Sequence, residues 1–200
     1  MPVSAEDVKK LREKTGAGFM DCKRALEEAN GDFEKAVDEL RKKGVAVAAK
    51  REGKTASQGI VASYIHAGDQ VGVLVEVDCE TDFVARTEGF RGFAHNVAMQ
   101  IVAMQPRWVS RDEVPGDAMD REREVLTAQA KAEGKPDNIV ERMVEGRLKK
   151  FYEEYCLLDQ KYIRDDSMTI NDLLLDLTAK TGELIVVRRF ERFQVGEESA

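Results

Sequence analysis

Aromatic residues make up only 6% of this chain, cysteines number three, and no apolar run is long enough to span a bilayer. No membrane-spanning helix is therefore expected. Cys22, Cys79 and Cys156 are odd in number and far apart, which argues against a disulfide frame and for reduced thiols in the cytosol. Positive charge has no surplus either. Charged residues are 34% of the sequence with a net of −7, and no long Lys/Arg cluster stands free of acids. Binding nucleic acid by phosphate neutralisation is therefore not expected. The start, Met1-Pro2-Val3-Ser4-Ala5-Glu6-Asp7, carries early acids and no apolar stretch, so no signal peptide is expected and the chain reads as cytoplasmic. There is no P-loop, no Gly-x-Gly-x-x-Gly and no zinc spacing. Neither a cofactor nor a metal is expected.

What is present is a helix-rich pattern of a size that can bury a substantial core. Residues 1–50 predict three short helices sharing one small core. Ser4 and Asp7 can cap the first, with Val8, Leu11 and Thr15 inward and Gly16 at its end. Phe19, Cys22, Leu26 and Ala29 line the second, stopped by Asn30-Gly31. Asp32 opens the third, with Phe33, Ala36, Val37 and Leu40 at helical spacing. Residues 51–59 are polar and glycine-punctuated, a mobile linker. Residues 60–200 then read as an α+β domain: a small antiparallel sheet packed with helices. Ile60–His66 and Val71–Asp78 flank Gly68-Asp69 as a β-hairpin. Helices are expected from about residue 88 to Pro106, over 116–132, after Pro136, and from Ser167 through Leu177; Leu184–Val195 suggests a third strand.

Two stretches carry candidate function. The first is Leu11–Leu26, two helices around a tight turn on Gly16 and Gly18. From periodicity it reads first as a helical hairpin with a solvated basic face; the alternative is a docking patch made by Arg12, Met20 and Lys23. Met20 would give adaptable apolar contact, and the cations would steer towards an acidic partner helix. The second is Glu76–Arg86, where alternating valines give way to Thr81-Asp82-Phe83-Val84. Thr81 has the chemistry of a helix N-cap, and Asp82 suits a first turn. Phe83 could fold inward over the cap or be aimed at another surface. Asp78, Glu80 and Asp82 would share one face of a continuous strand, as oxygen ligands for a divalent cation would have to; Thr81 is expected to break that strand. His66, His95 and Cys79 lack the orienting group and oxyanion site that a Cys–His enzyme needs.

Both stretches closely resemble the two signatures of the bacterial elongation factor Ts family. The resemblance continues through Gly134-Lys135-Pro136, Met143–Phe151 and Arg189–Gly196, covering nearly the whole chain. It implies that residues 1–50 have the fold of a ubiquitin-associated domain and dock on the G domain of EF-Tu, with Arg12, Met20 and Lys23 at docking positions. Phe19 stands where methionine is frequent. It further implies that Asp82 and Phe83, with Thr81 and Val84, intrude near EF-Tu's bound Mg²⁺ and disturb its phosphate site. The implied activity is guanine-nucleotide exchange by binding, without covalent chemistry, on GDP-bound and nucleotide-free EF-Tu. Long members carry a duplicated core, a coiled-coil protrusion and a C-terminal module. This chain resembles the short form, which implies a homodimer. The rival reading from the residues alone is an adaptor whose three-helix module binds a protein without affecting any nucleotide.

Overall fold

The computed structural model describes residues 3–15, 17–51 and 53–197. Helix α1 (Ala5–Thr15) starts beneath Ser4, whose Oγ accepts the Asp7 amide at 3.1 Å and donates to Asp7 Oδ2 at 2.6 Å. That satisfies one of the amides a helix start leaves without a partner. Helix α2 (Phe19–Glu28) ends at Asn30 and Gly31, both with positive φ (54° and 84°); the Gly31 amide returns to the Leu26 carbonyl at 2.8 Å. The Asp32 carboxylate then accepts the Lys35 amide at 3.1 Å and caps α3 (Phe33–Arg51). At 19 residues α3 outruns the short helix expected, and it continues through Lys50 and Arg51. Gly16, expected to end the first helix, lies outside the described residues.

Strands β1 (Gln58–Ile65) and β2 (Val71–Cys79) form a hairpin. Its turn holds Gly68 and Asp69 at positive φ, and the His66 amide donates to the Val71 carbonyl at 2.9 Å. The short α4 (Asp82–Ala85) and then α5 (Glu88–Met104) follow; α5 closes at Gln105, left-handed at φ 49°, just before Pro106. Helices α6 (Gly116–Ala132) and α7 (Asp137–Tyr155) turn back on each other. The chain ends with β3 (Lys161–Tyr162), β4 (Asp165–Thr169), α8 (Ile170–Thr181) and β5 (Val186–Gln194). The main sheet is antiparallel with strand order β1-β2-β5, and β3 with β4 forms a second, two-stranded sheet. The fold is α+β.

The helix expected from Ser167 begins instead at Ile170. The Asp165 carboxylate takes both the Ser167 amide (3.1 Å) and hydroxyl (2.6 Å), and Ser167 lies in strand β4 ahead of the helix. Residues 165–169 pair with β3, Lys161 opposite Thr169.

Backbone proximity groups the chain into two compact units. The first comprises Met1–Tyr64, Leu74–Ala98 and Asn171–Glu191. Val8, Leu11, Cys22, Ala25, Leu26, Ala29, Ala36 and Leu40 form one small core within it. Val75, Val77, Phe90, Val97, Ile185 and Val187 are also buried there. The second comprises Ile65–Val73, Met99–Ile170 and Arg192–Ala200. In it Leu126 and Ala130 of α6 pack with Val140, Val144 and Leu148 of α7. Its buried polar centre is a pair of glutamines. Gln100 donates to Gln160 Oε1 (3.2 Å) and to the Lys161 carbonyl (3.0 Å), and accepts the Ile163 amide (3.0 Å). Gln160 donates to the Glu154 carbonyl at 2.8 Å, and its own carbonyl accepts the Ile170 amide at 3.0 Å. The Gln100 amide thus pairs with the Lys161 and Ile163 backbone at the β3–β4 hairpin, and the Gln160 amide with the last turn of α7.

Candidate functional site

The strand β2 stops at Cys79 because its next residues are used for caps. Thr81 adopts extended backbone (φ −128°, ψ 153°), and its Oγ accepts the Val84 amide at 3.4 Å. The same hydroxyl donates to Glu183 Oε1 at 2.7 Å, and the Thr81 amide donates to Glu183 Oε2 at 3.1 Å. The Thr81 carbonyl accepts both the Ala85 amide (3.3 Å) and the Cys79 thiol (3.1 Å). Every polar group of Thr81 thus has a partner within the corner or across it. Thr87 then repeats the device, its Oγ donating to the Val84 carbonyl (2.8 Å) and accepting the Phe90 amide (3.3 Å) to open α5.

On this mount Phe83 is 80% exposed. Of the two sequence readings, the inward-folded ring is therefore the one the structure rejects. Ala85, two residues on, is the side chain that goes inside. Asp82 and Val84 are half-buried, and the Asp82 carboxylate meets Arg86 Nη2 at 2.7 Å, one turn along.

The carboxylate trio does not converge. Asp78 pairs with Arg188 Nε at 2.7 Å, Glu80 with Arg51 Nη1 at 3.3 Å, and Asp82 with Arg86. Three acids meet three different arginines, because the strand ends before Asp82 and the common face is lost. Among the described residues no group of three or more His, Cys, Asp or Glu side chains is placed to hold a metal. Cys79 is fully buried; that burial, with the Glu183 carboxylate nearby, raises its pKa and keeps it a thiol. Burial likewise raises Cys22 and pushes Cys156 up to about 11. His95 lies edge-on to Tyr64, ring centres 5.6 Å apart.

The residues expected to dock stand on the surface of the three-helix core. Met20 and Lys23 are neighbours at i, i+3 on α2, both exposed, and Lys23 lies 3.7 Å from Glu27. Arg12 is exposed on α1. Phe19 departs from its expected inward position. It is the first residue of α2, ahead of the turns that Cys22, Ala25 and Leu26 fill, and it stays 47% exposed beside Met20. The apolar part of this surface is thus a Phe–Met pair.

Sequence reasoning missed the residues that hold the corner. Glu183 follows Gly182, the left-handed residue closing α8 (φ 69°), and nothing local marks it as a partner of Thr81. The sequence offers Glu80 only as a possible metal ligand, whereas it accepts the Leu184 amide at 2.7 Å as well as meeting Arg51.

A family model described as Elongation factor TS matches residues 22–198. The elongation factor Ts of Caldanaerobacter subterraneus subsp. tengcongensis is 59% identical over 195 residues, spanning 98% of both chains. That of Moorella thermoacetica is 58% identical over 98% of this chain and 96% of its own, and that of Carboxydothermus hydrogenoformans 57% over 98% and 90%.

The chain belongs to the elongation factor Ts family.

Membership makes it a nucleotide-exchange factor for EF-Tu in translation elongation. The matched stretch holds the whole Thr81–Val84 corner and begins at Cys22, within the Leu11–Leu26 stretch. Near-full-length coverage of the relatives places this chain among elongation factor Ts proteins of its own size. Among the described residues no helix is long and apolar enough to cross a membrane.

Proposed function

We propose that the Thr81–Val84 corner is the part of this exchange factor that loosens GDP. Phe83, with Asp82 beside it, enters EF-Tu near the bound Mg²⁺ and disturbs the ion and the phosphate-binding site. The observation carrying this reading is a large aromatic ring left 80% exposed on a corner whose backbone is held from several sides. Residues 1–50 are assigned to docking on the G domain through Arg12, Met20 and Lys23, with 51–59 joining them to a core at 60–200. That core holds the remainder of EF-Tu. Two copies associate through the sheet; the large apolar side chains Val61 on β1 and Leu74 on β2, both exposed, support such a contact. The factor works in the cytoplasm on GDP-bound and nucleotide-free EF-Tu, holding no nucleotide, nucleic acid or cofactor of its own.

The physical logic is linkage. A partner that binds nucleotide-free EF-Tu better than its GDP complex must weaken GDP by the same factor. A thousandfold faster release requires about 4 kcal/mol of differential stabilisation. GTP then fills the vacated site and displaces the factor, with no bond made or broken. The test is release of a fluorescent GDP analogue from EF-Tu, followed by stopped flow over a range of factor concentrations. Acceleration that saturates is the expected result. Complex formation without acceleration would leave a binding module only.

A further inference from the structure

Helix α3 starts in the N-terminal module and ends on the corner's support. Its last residue, Arg51, meets Glu80 Oε2 at 3.3 Å, and Glu80 immediately precedes Thr81. The other oxygen of Glu80 holds the Leu184 amide at 2.7 Å, so the arginine reaches a carboxylate that is itself fixed. Midway along α3, Gly44 is buried against α8. A Cβ there would stand 3.1 Å from the Leu175 carbonyl oxygen and 3.6 Å from the Ala179 methyl. A backbone carbonyl in the middle of a helix cannot swing aside as a flexible side-chain tip can. Glycine therefore marks the closest approach of the two helices. One turn earlier on each, Arg41 Nη2 lies 3.9 Å from Asp172 Oδ2. The contacts thus step in register along both helices, 41 to 172 and 44 to 175, as packed helix surfaces require.

These ion pairs are partly exposed, and such pairs contribute little to stability on their own. Their value lies in geometry. We infer that α3 is a rigid spacer, seated on α8 through Gly44 and anchored at the corner through Arg51, which fixes the docking face of α1 and α2 relative to Phe83. At 1.5 Å per residue its 19 residues extend on the order of 28 Å. Gly44 and Arg51 are then positioning residues for exchange: neither touches EF-Tu, and both set where the wedge lies once the module has docked. This rests on the exchange reading above.

The experiment keeps the two ideas separable. Spin labels on Glu28→Cys in α2 and Glu88→Cys at the start of α5 report the distance from module to corner. Both sites are exposed, whereas Cys22, Cys79 and Cys156 are buried and spared by the reagent. The expected result in the otherwise unaltered chain is a single narrow distance distribution. Gly44→Leu should broaden it, and in the unlabelled protein should lower the saturating GDP-release rate about tenfold while affinity for EF-Tu·GDP changes less than about threefold. Gly44→Ala should fall between, and Arg51→Lys should restore much of what Arg51→Ala loses. Circular dichroism melts confirm that each variant is folded. A broad distribution in the unaltered chain overturns the seat, whatever the exchange activity. A narrow one that Gly44→Leu broadens without slowing release overturns the positioning role. Failure of the unaltered chain to release GDP overturns the exchange reading and the positioning role with it, while the distances still judge the seat.

Discussion

Glu183 grips Thr81 at two points across 102 residues of sequence, one carboxylate oxygen on the hydroxyl and the other on the amide. The corner that presents Phe83 is therefore held by the segment that follows α8. Hydrogen bonds to a charged group are worth about 1.5–3 kcal/mol each when both partners are withdrawn from water, and this pair is half-buried. Glu183→Ala should cost about 2 kcal/mol in urea unfolding and slow saturating GDP release by about tenfold. Glu183→Gln, which keeps one acceptor, should lose less of both. Full release activity in a destabilised Glu183→Ala would mean that the clamp serves only folding.

Phe83→Ala should separate function from stability in the opposite sense. A side chain this exposed contributes little to the fold, so the unfolding free energy should move by no more than about 0.5 kcal/mol. The GDP-release rate at saturating factor should nevertheless drop at least about tenfold, with affinity for EF-Tu less affected. Collapse of binding with an unchanged rate in the bound state would reverse the roles assigned to wedge and dock.

For Arg12 and Lys23, ionic strength is the discriminating variable. Arg12→Ala and Lys23→Ala should each slow association with EF-Tu by about threefold to tenfold at low salt. The deficit should shrink as salt rises and the Debye length falls from about 10 Å at 0.1 M to about 3 Å at 1 M. A deficit of the same size at all salt concentrations would count against steering.

Asp176 gives a pH signature. It lines a cavity of about 110 Å³ with Thr15, Leu40, Lys43 and Ala179, and burial raises its pKa above the ordinary 3.8. Lys180 and Arg41 pull the other way, and Asp172 adds to the rise. With the folded value above the unfolded one, the folded state binds the proton more tightly. The favourable contribution is present when the carboxyl is neutral and is lost as pH rises through the folded pKa. Asp176→Asn should therefore raise the melting temperature at pH 7 by about 2 °C, with the advantage fading as pH falls towards 4. An advantage that persists at acid pH would point to packing, not ionisation.

Local chemistry made much of this molecule readable. Ser4, Asp32 and Thr81 each cap the helix their position suggests, and Gly134 and Pro136 bracket the turn between α6 and α7. The β-branched alternation of Val73, Val75 and Val77 places all three inside. Each of these depends on neighbours within a few residues. What escaped depends on partners far along the chain. No pattern near residue 183 announces Thr81, and none near Glu80 announces Arg51. Phe19 fits the apolar stripe of α2 by spacing, yet stands beyond the core because the helix starts with it. Residues 165–169 carry no strong strand pattern; they extend because β3 lies beside them and buried Gln100 holds the Lys161 and Ile163 backbone.

An aromatic side chain moved from water into a packed interior gives about 1.5–3 kcal/mol of hydrophobic stabilisation. Folding realises that quantity for Phe90, which is fully buried, and leaves it almost untouched for Phe83. The corner therefore completes its folding with a hydrophobic driving force still in reserve. That reserve can be released only against a second surface, and only while the ring remains inserted there. An exposed phenylalanine is thus a store of free energy that lets a protein act on its partner without consuming any fuel of its own.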